Sequence, residues 1–150
     1  MRIVITGHRT EKLAPYDMGW IQTTIDQLLV EIRMLGDKHI AYAGMASGVD
    51  LHFCKSCILL GIPYIACVPF EGQEKTMSFR DAEVREQLLK SAKEIKEVKN
   101  SWFVEHCDVA LAVWSGQKGG THNVVEQLVA AKKNFYWINP VGKVVWKCFI

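Results

Sequence analysis

Three short segments combine glycine with hydroxyl side chains, two of them with cationic side chains as well, in an arrangement suited to binding an anion. Residues 114–127, WSGQKGGTHNVVEQ, place Gly119 and Gly120 ahead of a helical pattern, with Thr121 expected as its N-cap and Asn123 two residues on. A glycine-rich turn that opens a helix leaves several N–H groups unpaired, and the helix dipole adds attraction for negative charge. The segment reads as a phosphate cradle. Lys118 precedes the glycines and the G-K-[ST] ending is missing, which disfavours Mg²⁺-dependent NTP hydrolysis. Residues 43–50, AGMASGVD, repeat the pattern with Gly44, Ser47 and Gly48 before a second helix. Asp50 falls in the first turn there, where a carboxylate either favours the helix or binds a ribose. The third segment, TGHRT at 6–10, has one glycine, with His8 and Arg9 placed to reach a phosphate or base. It lacks G-x-G-x-x-G, so a standard dinucleotide site is disfavoured. Two glycine loops on one chain point to a ligand with more than one polar group, such as a nucleotide or nucleotide sugar.

The elements that must position these loops follow from periodicity. Apolar, β-branched runs at 2–6, 39–43, 63–68, 108–113 and 134–138 read as strands, and their mostly continuous apolar character fits a parallel sheet covered on both faces. A weaker strand is expected at 95–98. Helical patterns occupy 17–35, 48–60, 79–92, 100–107 and a stretch beginning at Thr121, with Gly36 expected as a C-cap and Ser47 near an N-cap. Strands alternating with helices give an α/β, Rossmann-like parallel sheet with helices on both faces. In such sheets, ligands sit beyond the carboxyl ends of the strands, where all three loops fall. The tail VGKVVWKCFI is expected to add an edge strand or to pack across a partner chain. The polar loop at 70–78 reads as a lid.

Composition bounds the rest. A chain of 150 residues, 49% hydrophobic and 23% charged, fits one globular domain over 1–150 and argues against disorder. Eighteen Lys and Arg against sixteen Asp and Glu leave a net charge of +2, which is no footprint for duplex DNA or an anionic membrane. No run approaches the length of a spanning helix and no secretory leader opens the chain, so a cytoplasmic location is expected. Five cysteines, odd in number and set in apolar segments, are expected as reduced thiols. The pair Cys54 and Cys57 reads as buried and structural. With His52 on another helix face, no zinc site is expected, nor any other metal or cofactor. His39 and His106 read as surface or satisfied histidines. Trp102, Phe103 and Trp114 pack in the core or, for the two tryptophans, stack on a base.

Taken in order, ITGHR, GMASGVD, IPYIACVPFEGQE and KNSWFVEHCDVALAVWSGQKGGTHNVVEQ resemble the YpsA-type branch of the SLOG superfamily, which includes DprA and the LOG phosphoribohydrolases. The resemblance spans nearly the whole chain. It implies a Rossmann-like sheet whose glycine loops bind a nucleotide-derived ligand, in a homo-oligomer. LOG enzymes carry P-G-G-x-G-T-x-x-E, whereas K-G-G-T-H-N-V-V-E stands here, with Val124 three residues after Thr121. The nearest carboxylate, Glu126, lies about 140° around the helix from Thr121. Nine residues before Asp108 stand Lys99 and Asn100 where those enzymes have Arg and Lys, so a cation survives without the bidentate fork. N-glycosidic cleavage needs a carboxylate at the sugar, and Asp50, Glu71 and Glu126 are the candidates. The expectation is therefore a ligand-binding protein, a sensor or sequestering protein, with nucleoside 5′-monophosphate N-glycosidase as the alternative. Single-strand DNA binding, implied by the DprA resemblance, is opposed by the near-neutral charge.

Overall fold

Alternate residues of the first strand point to opposite faces of the sheet, and both faces are buried. Ile3 and Ile5 enter one core with residues of four helices, while Val4 enters another. The computed structural model describes residues 1–149. Its elements are β1 (Arg2–Gly7), α1 (Thr10–Leu13), α2 (Met18–Arg33), β2 (Ile40–Ala43), α3 (Val49–Leu60), β3 (Tyr64–Val68), a 3-10 turn (Gln73–Thr76), α4 (Phe79–Ser91), β4 (Glu94–Glu97), α5 (Asn100–His106), β5 (Val109–Val113), α6 (Gly120–Ala130), β6 (Asn134–Asn139) and β7 (Val144–Cys148). The sheet runs β4-β3-β2-β1-β5-β6-β7, parallel throughout except for β7, which is antiparallel to β6. This is a Rossmann-like α/β fold. The C-terminal tail thus forms the antiparallel edge strand, although its last residue, Ile150, lies outside the described residues.

Helices α2, α3 and α4 cover one face, through Ile21, Ile25, Leu29, Phe53 and Leu88. Helices α5 and α6 cover the other, through Phe103, Val104, Val124 and Leu128. Local chemistry sets the boundaries. Asp17 accepts from the Trp20 N–H at 3.0 Å to start α2, and Ser78 accepts from the Asp81 N–H at 3.1 Å to start α4.

Four expectations change here. Helix α2 stops at Arg33 with Met34 as its cap, and Gly36 is not in a left-handed conformation; the last turn closes instead on Val30, Glu31 and Ile32 carbonyls. The left-handed cap belongs to Gly61, after α3 (φ 70°). Gly48, not Ser47, caps α3, and Gly119, not Thr121, caps α6. Finally, the 70–78 loop is fastened rather than free: the Gln73 amide donates to the Gly44 carbonyl at 2.9 Å and accepts from Arg85 Nε at 3.2 Å. Gln73 and Arg85 are both buried.

Phe53 is fully buried where α3 meets the sheet. Truncating it by Phe53→Ala is expected to lower the unfolding free energy by about 3–5 kcal/mol, read by denaturant titration.

Candidate functional site

The chain steps outward from β1 to β4 and then returns to β5 on the other side of β1, so strand order reverses between β1 and β5. In sheets of this order, loops leaving the two strands on either side of the reversal part toward opposite faces, and ligands bind in the crevice between their carboxyl ends. The loop after β2 adjoins it, because β2 and β5 both flank β1 and their ends stand about 10 Å apart. All three glycine-bearing segments therefore meet at one rim.

His8 stands at the reversal point. The Ser115 N–H donates to its Nε2 at 3.1 Å, and the Ser115 hydroxyl lies 3.1 Å from the same nitrogen. An acceptor at Nε2 assigns the proton to Nδ1, which faces the Thr121 hydroxyl at 3.5 Å. Burial lowers the His8 pKa, and the charge of Lys12 lowers it further, so the ring is neutral at pH 7. Thr121 is buried in this contact. Its hydroxyl accordingly turns toward His8, not freely into the loop as an N-cap would.

The turn at 44–48 is set by a close backbone approach. Gly48 has φ 90°, and a Cβ there would lie 2.7 Å from the His8 carbonyl oxygen and 2.9 Å from the Thr10 nitrogen. Only glycine fits. Met45 holds a left-handed φ of 61° while fully buried, with the Cys54 thiol donating to its sulfur at 3.7 Å. Such a conformation persists because packing around it is complete. Asp50 reaches back into the turn and accepts from the Ala46 N–H at 3.2 Å. Burial pushes its carboxyl up to about 7, opposed by the Ala46 hydrogen bond and the Arg9 charge. Phe103 closes the back of the turn, its ring atoms 3.5 Å from the position of a Cβ on Gly44.

Across the crevice, Gly119 has φ 153° and a Cβ there would meet Lys12 Nζ at 3.1 Å. Lys12 brings a positive charge to the loop that the sequence reading overlooked. Arg9 is exposed at the start of α1, Asn123 is exposed on α6, and Lys99 is exposed at the start of α5, beyond the edge strand β4.

Other candidates are dispersed. Glu71 is exposed in the loop after β3. Glu126 is exposed and pairs with His122 at 3.2 Å. Trp102 packs edge-on to Tyr42 and stacks on His106 with ring centroids 4.2 Å apart, so its partners belong to the sheet face and to α5 itself. Trp114 stacks on His122 and against Trp137, and lines an apolar groove of about 480 Å³ along α6 with Val125, Val129 and Phe135. Burial holds the Cys54 thiol well above its ordinary range and pushes Cys57 up to about 12, which fits a structural pair. His52 contacts Asp26 at 3.0 Å, and Ser56 donates to the same carboxylate oxygen. Serine and aspartate share one ring nitrogen, so this trio fastens α3 to α2 and lacks the two-nitrogen relay of an activated nucleophile. Among the described residues no three His, Cys, Asp or Glu side chains are placed to hold a metal, and no helix is long and apolar enough to cross a membrane.

Lys12, Gln73 and Arg85 escaped sequence reading. Arg85 carried a signal, because it shares a helical face with Leu88 and Ala92, where a solvated arginine is out of place. Lys12 and Gln73 sit in polar stretches without periodicity and carried none.

Sheet order, loop placement and the crevice define an α/β protein of Rossmann-like type with a candidate ligand site at its reversal point. No family model matches the chain, and no curated protein matches it. Solved structures share the fold. The molybdenum cofactor carrier protein of Chlamydomonas reinhardtii aligns with TM-score 0.60 at 17% identity, over 91% of this chain and 74% of that one. DNA processing protein A of Helicobacter pylori, described for its single-stranded DNA binding mode, aligns with TM-score 0.63 at 15% identity, over 91% of this chain and 64% of that one. A structural-genomics target, TM1055, aligns with TM-score 0.51 at 12% identity, over 89% of this chain and 71% of that one.

Two outcomes are expected. Gly48→Ala costs about 1–3 kcal/mol of stability in a denaturant titration, through its left-handed φ and the clash with His8. The folded Asp50 keeps its proton up to about pH 7, whereas its ordinary value is 3.8, so folding takes up a proton between these values. Its contribution to stability is full below pH 3.8 and is lost as pH rises to 7, by up to about 4 kcal/mol. The stability difference between Asp50→Asn and the natural chain should therefore shift in the variant's favour from pH 4 to pH 8 in paired melts.

Proposed function

We propose that this chain is a SLOG-type binding protein of the YpsA-like branch. In this reading it is one cytoplasmic domain over 1–150 that holds a nucleotide or nucleotide sugar as a sensor or sequestering protein, in a homo-oligomer. The observation that carries the reading is the meeting of three loops at the β1/β5 reversal, with Lys12 beside Gly119. The ligand's phosphate lies on Gly119, Gly120 and Thr121, flanked by Lys12 and Arg9, with His8 behind Thr121 and Asn123 at the rim. Gly44, Ser47 and Gly48 form the opposite wall, and Lys99 lies farther along the edge. Trp114 is the aromatic surface next to this loop.

The alternative is N-glycosidic cleavage of a nucleoside 5′-phosphate. One observation favours it: Asp50 is buried with its carboxyl at about 7, poised to exchange a proton near neutrality. Incubation with nucleoside monophosphates and chromatography for free base separates the two; binding without base release favours the sensor reading. Net charge argued against nucleic acid, yet one fold neighbour is described by its single-stranded DNA binding, so that exclusion is withdrawn. A salt-dependent gel shift with oligonucleotides would replace the small-molecule reading by that one.

Calorimetry with AMP and ADP-ribose provides the direct test. Thr121→Asp should weaken binding at least about tenfold by placing a carboxylate against the phosphate, and Lys12→Ala by about threefold to tenfold. Unchanged affinity in both variants overturns the assignment of this loop.

A further inference from the structure

The two glycine loops are alike in sequence and opposite in electrostatic character. At 116–121 a lysine ammonium stands beside Gly119, and the one carboxylate on the first turns of α6, Glu126, is paired with His122. At 44–48 a carboxylate lies inside the turn itself: Asp50 Oδ2 is 3.2 Å from the position of a Cβ on Gly44 and accepts the Ala46 N–H. One amide that an anion would need is therefore taken. A second phosphate there would also face this carboxylate at short range, with exposed Arg9 as the nearby cation.

Asp50 is only 7% exposed, and its other oxygen, Oδ1, has no hydrogen-bond partner among the described residues. Ser47, 4% exposed and adjacent in the turn, likewise has a hydroxyl with no hydrogen-bond partner among the described residues. A buried carboxylate with one neutral hydrogen bond is costly, and donors supplied by a ligand relieve that cost. Sugar hydroxyls are neutral donors that also accept from a serine.

Resting on the reading of the crevice given above, we propose that Asp50 and Ser47 bind the hydroxyl groups of a sugar phosphate whose anionic end lies on Gly119–Thr121. The 44–48 loop thus selects a hydroxylated sugar and does not hold a second anion.

The test is calorimetry on the full chain with three probes: AMP, its 2′,3′-dideoxy analogue and inorganic phosphate. The natural chain should bind AMP about tenfold or more tighter than the dideoxy analogue. Asp50→Asn should erase that preference while leaving the affinity for inorganic phosphate unchanged. Should Asp50→Asn fold poorly, Ser47→Ala reports on the same loop with a smaller loss of the preference. Equal affinity of the natural chain for the two nucleotides, or an Asp50→Asn protein that keeps the preference, overturns the proposal. If Thr121→Asp abolishes phosphate binding while Asp50→Asn changes nothing, this inference alone fails. If the natural chain binds none of the probes, the inference falls together with the proposed function.

Discussion

The molecule depends on one main-chain contact: the turn after β2 lies so close to residues 8–10 that no side chain fits at Gly48. That approach fixes the entry of α3, seats the fully buried Met45 in an unfavourable conformation and points Asp50 back into its own loop. On the other side of the same segment, His8 reaches the loop after β5 through Ser115 and the start of α6 through Thr121. One stretch of five residues, 8–12, thereby sets the spacing between two helix N-termini. The hydrophobic layers on both faces of the sheet supply the stability, and this contact supplies the geometry.

Electrostatics then divide the crevice. Helix N-termini carry positive partial charge at both loops, but the side chains beside them differ in kind. Lys12 adds a positive charge beside Gly119, whereas Asp50 places a carboxyl group inside the neighbouring turn. Behind the turn, Arg85 and Gln73 form a buried polar link to the Gly44 carbonyl, tying its conformation to the loop after β3. Both ends of the Gln73 amide are bonded, the nitrogen to Gly44 and the oxygen to Arg85, as a low-dielectric setting demands.

Much of the scaffold was legible because burial on both faces leaves a strong sequence trace. The runs at 2–6, 63–68, 108–113 and 134–138 became strands within a residue of their expected bounds, and even the weak IKEV segment expected at 95–98 became an edge strand, one residue earlier at 94–97, pinned by pairing with β3. Four-residue α1 was missed because TEKL is too short to show a period, and it carries Lys12. Boundary glycines misled in a consistent way. Gly36 marks the end of a pattern but not the cap, and the expected caps Ser47 and Thr121 lie one residue before and two residues after the actual ones. Loop positions were readable, but the side chains that fill them were not, since they come from elements distant in sequence: Lys12 beside Gly119, and Gln73 beside Gly44. Trp102 shows the converse, an aromatic whose neighbours Tyr42 and His106 are set by the crossing of α5 over the sheet.

The sulfur atoms add a practical dimension to this arrangement. Cys54, Cys57, Cys67 and Cys107 are buried, and burial raises all four thiols above their ordinary range, while Cys148 on the last strand is only partly covered. A thiol-directed fluorophore or spin label applied to the native chain therefore finds its most accessible attachment point on β7, three strands from β1. Cys148 shares the apolar groove along α6 with Trp114, so such a reporter senses that groove directly, and it gives the protein a ready handle for following its association without redesigning a single residue.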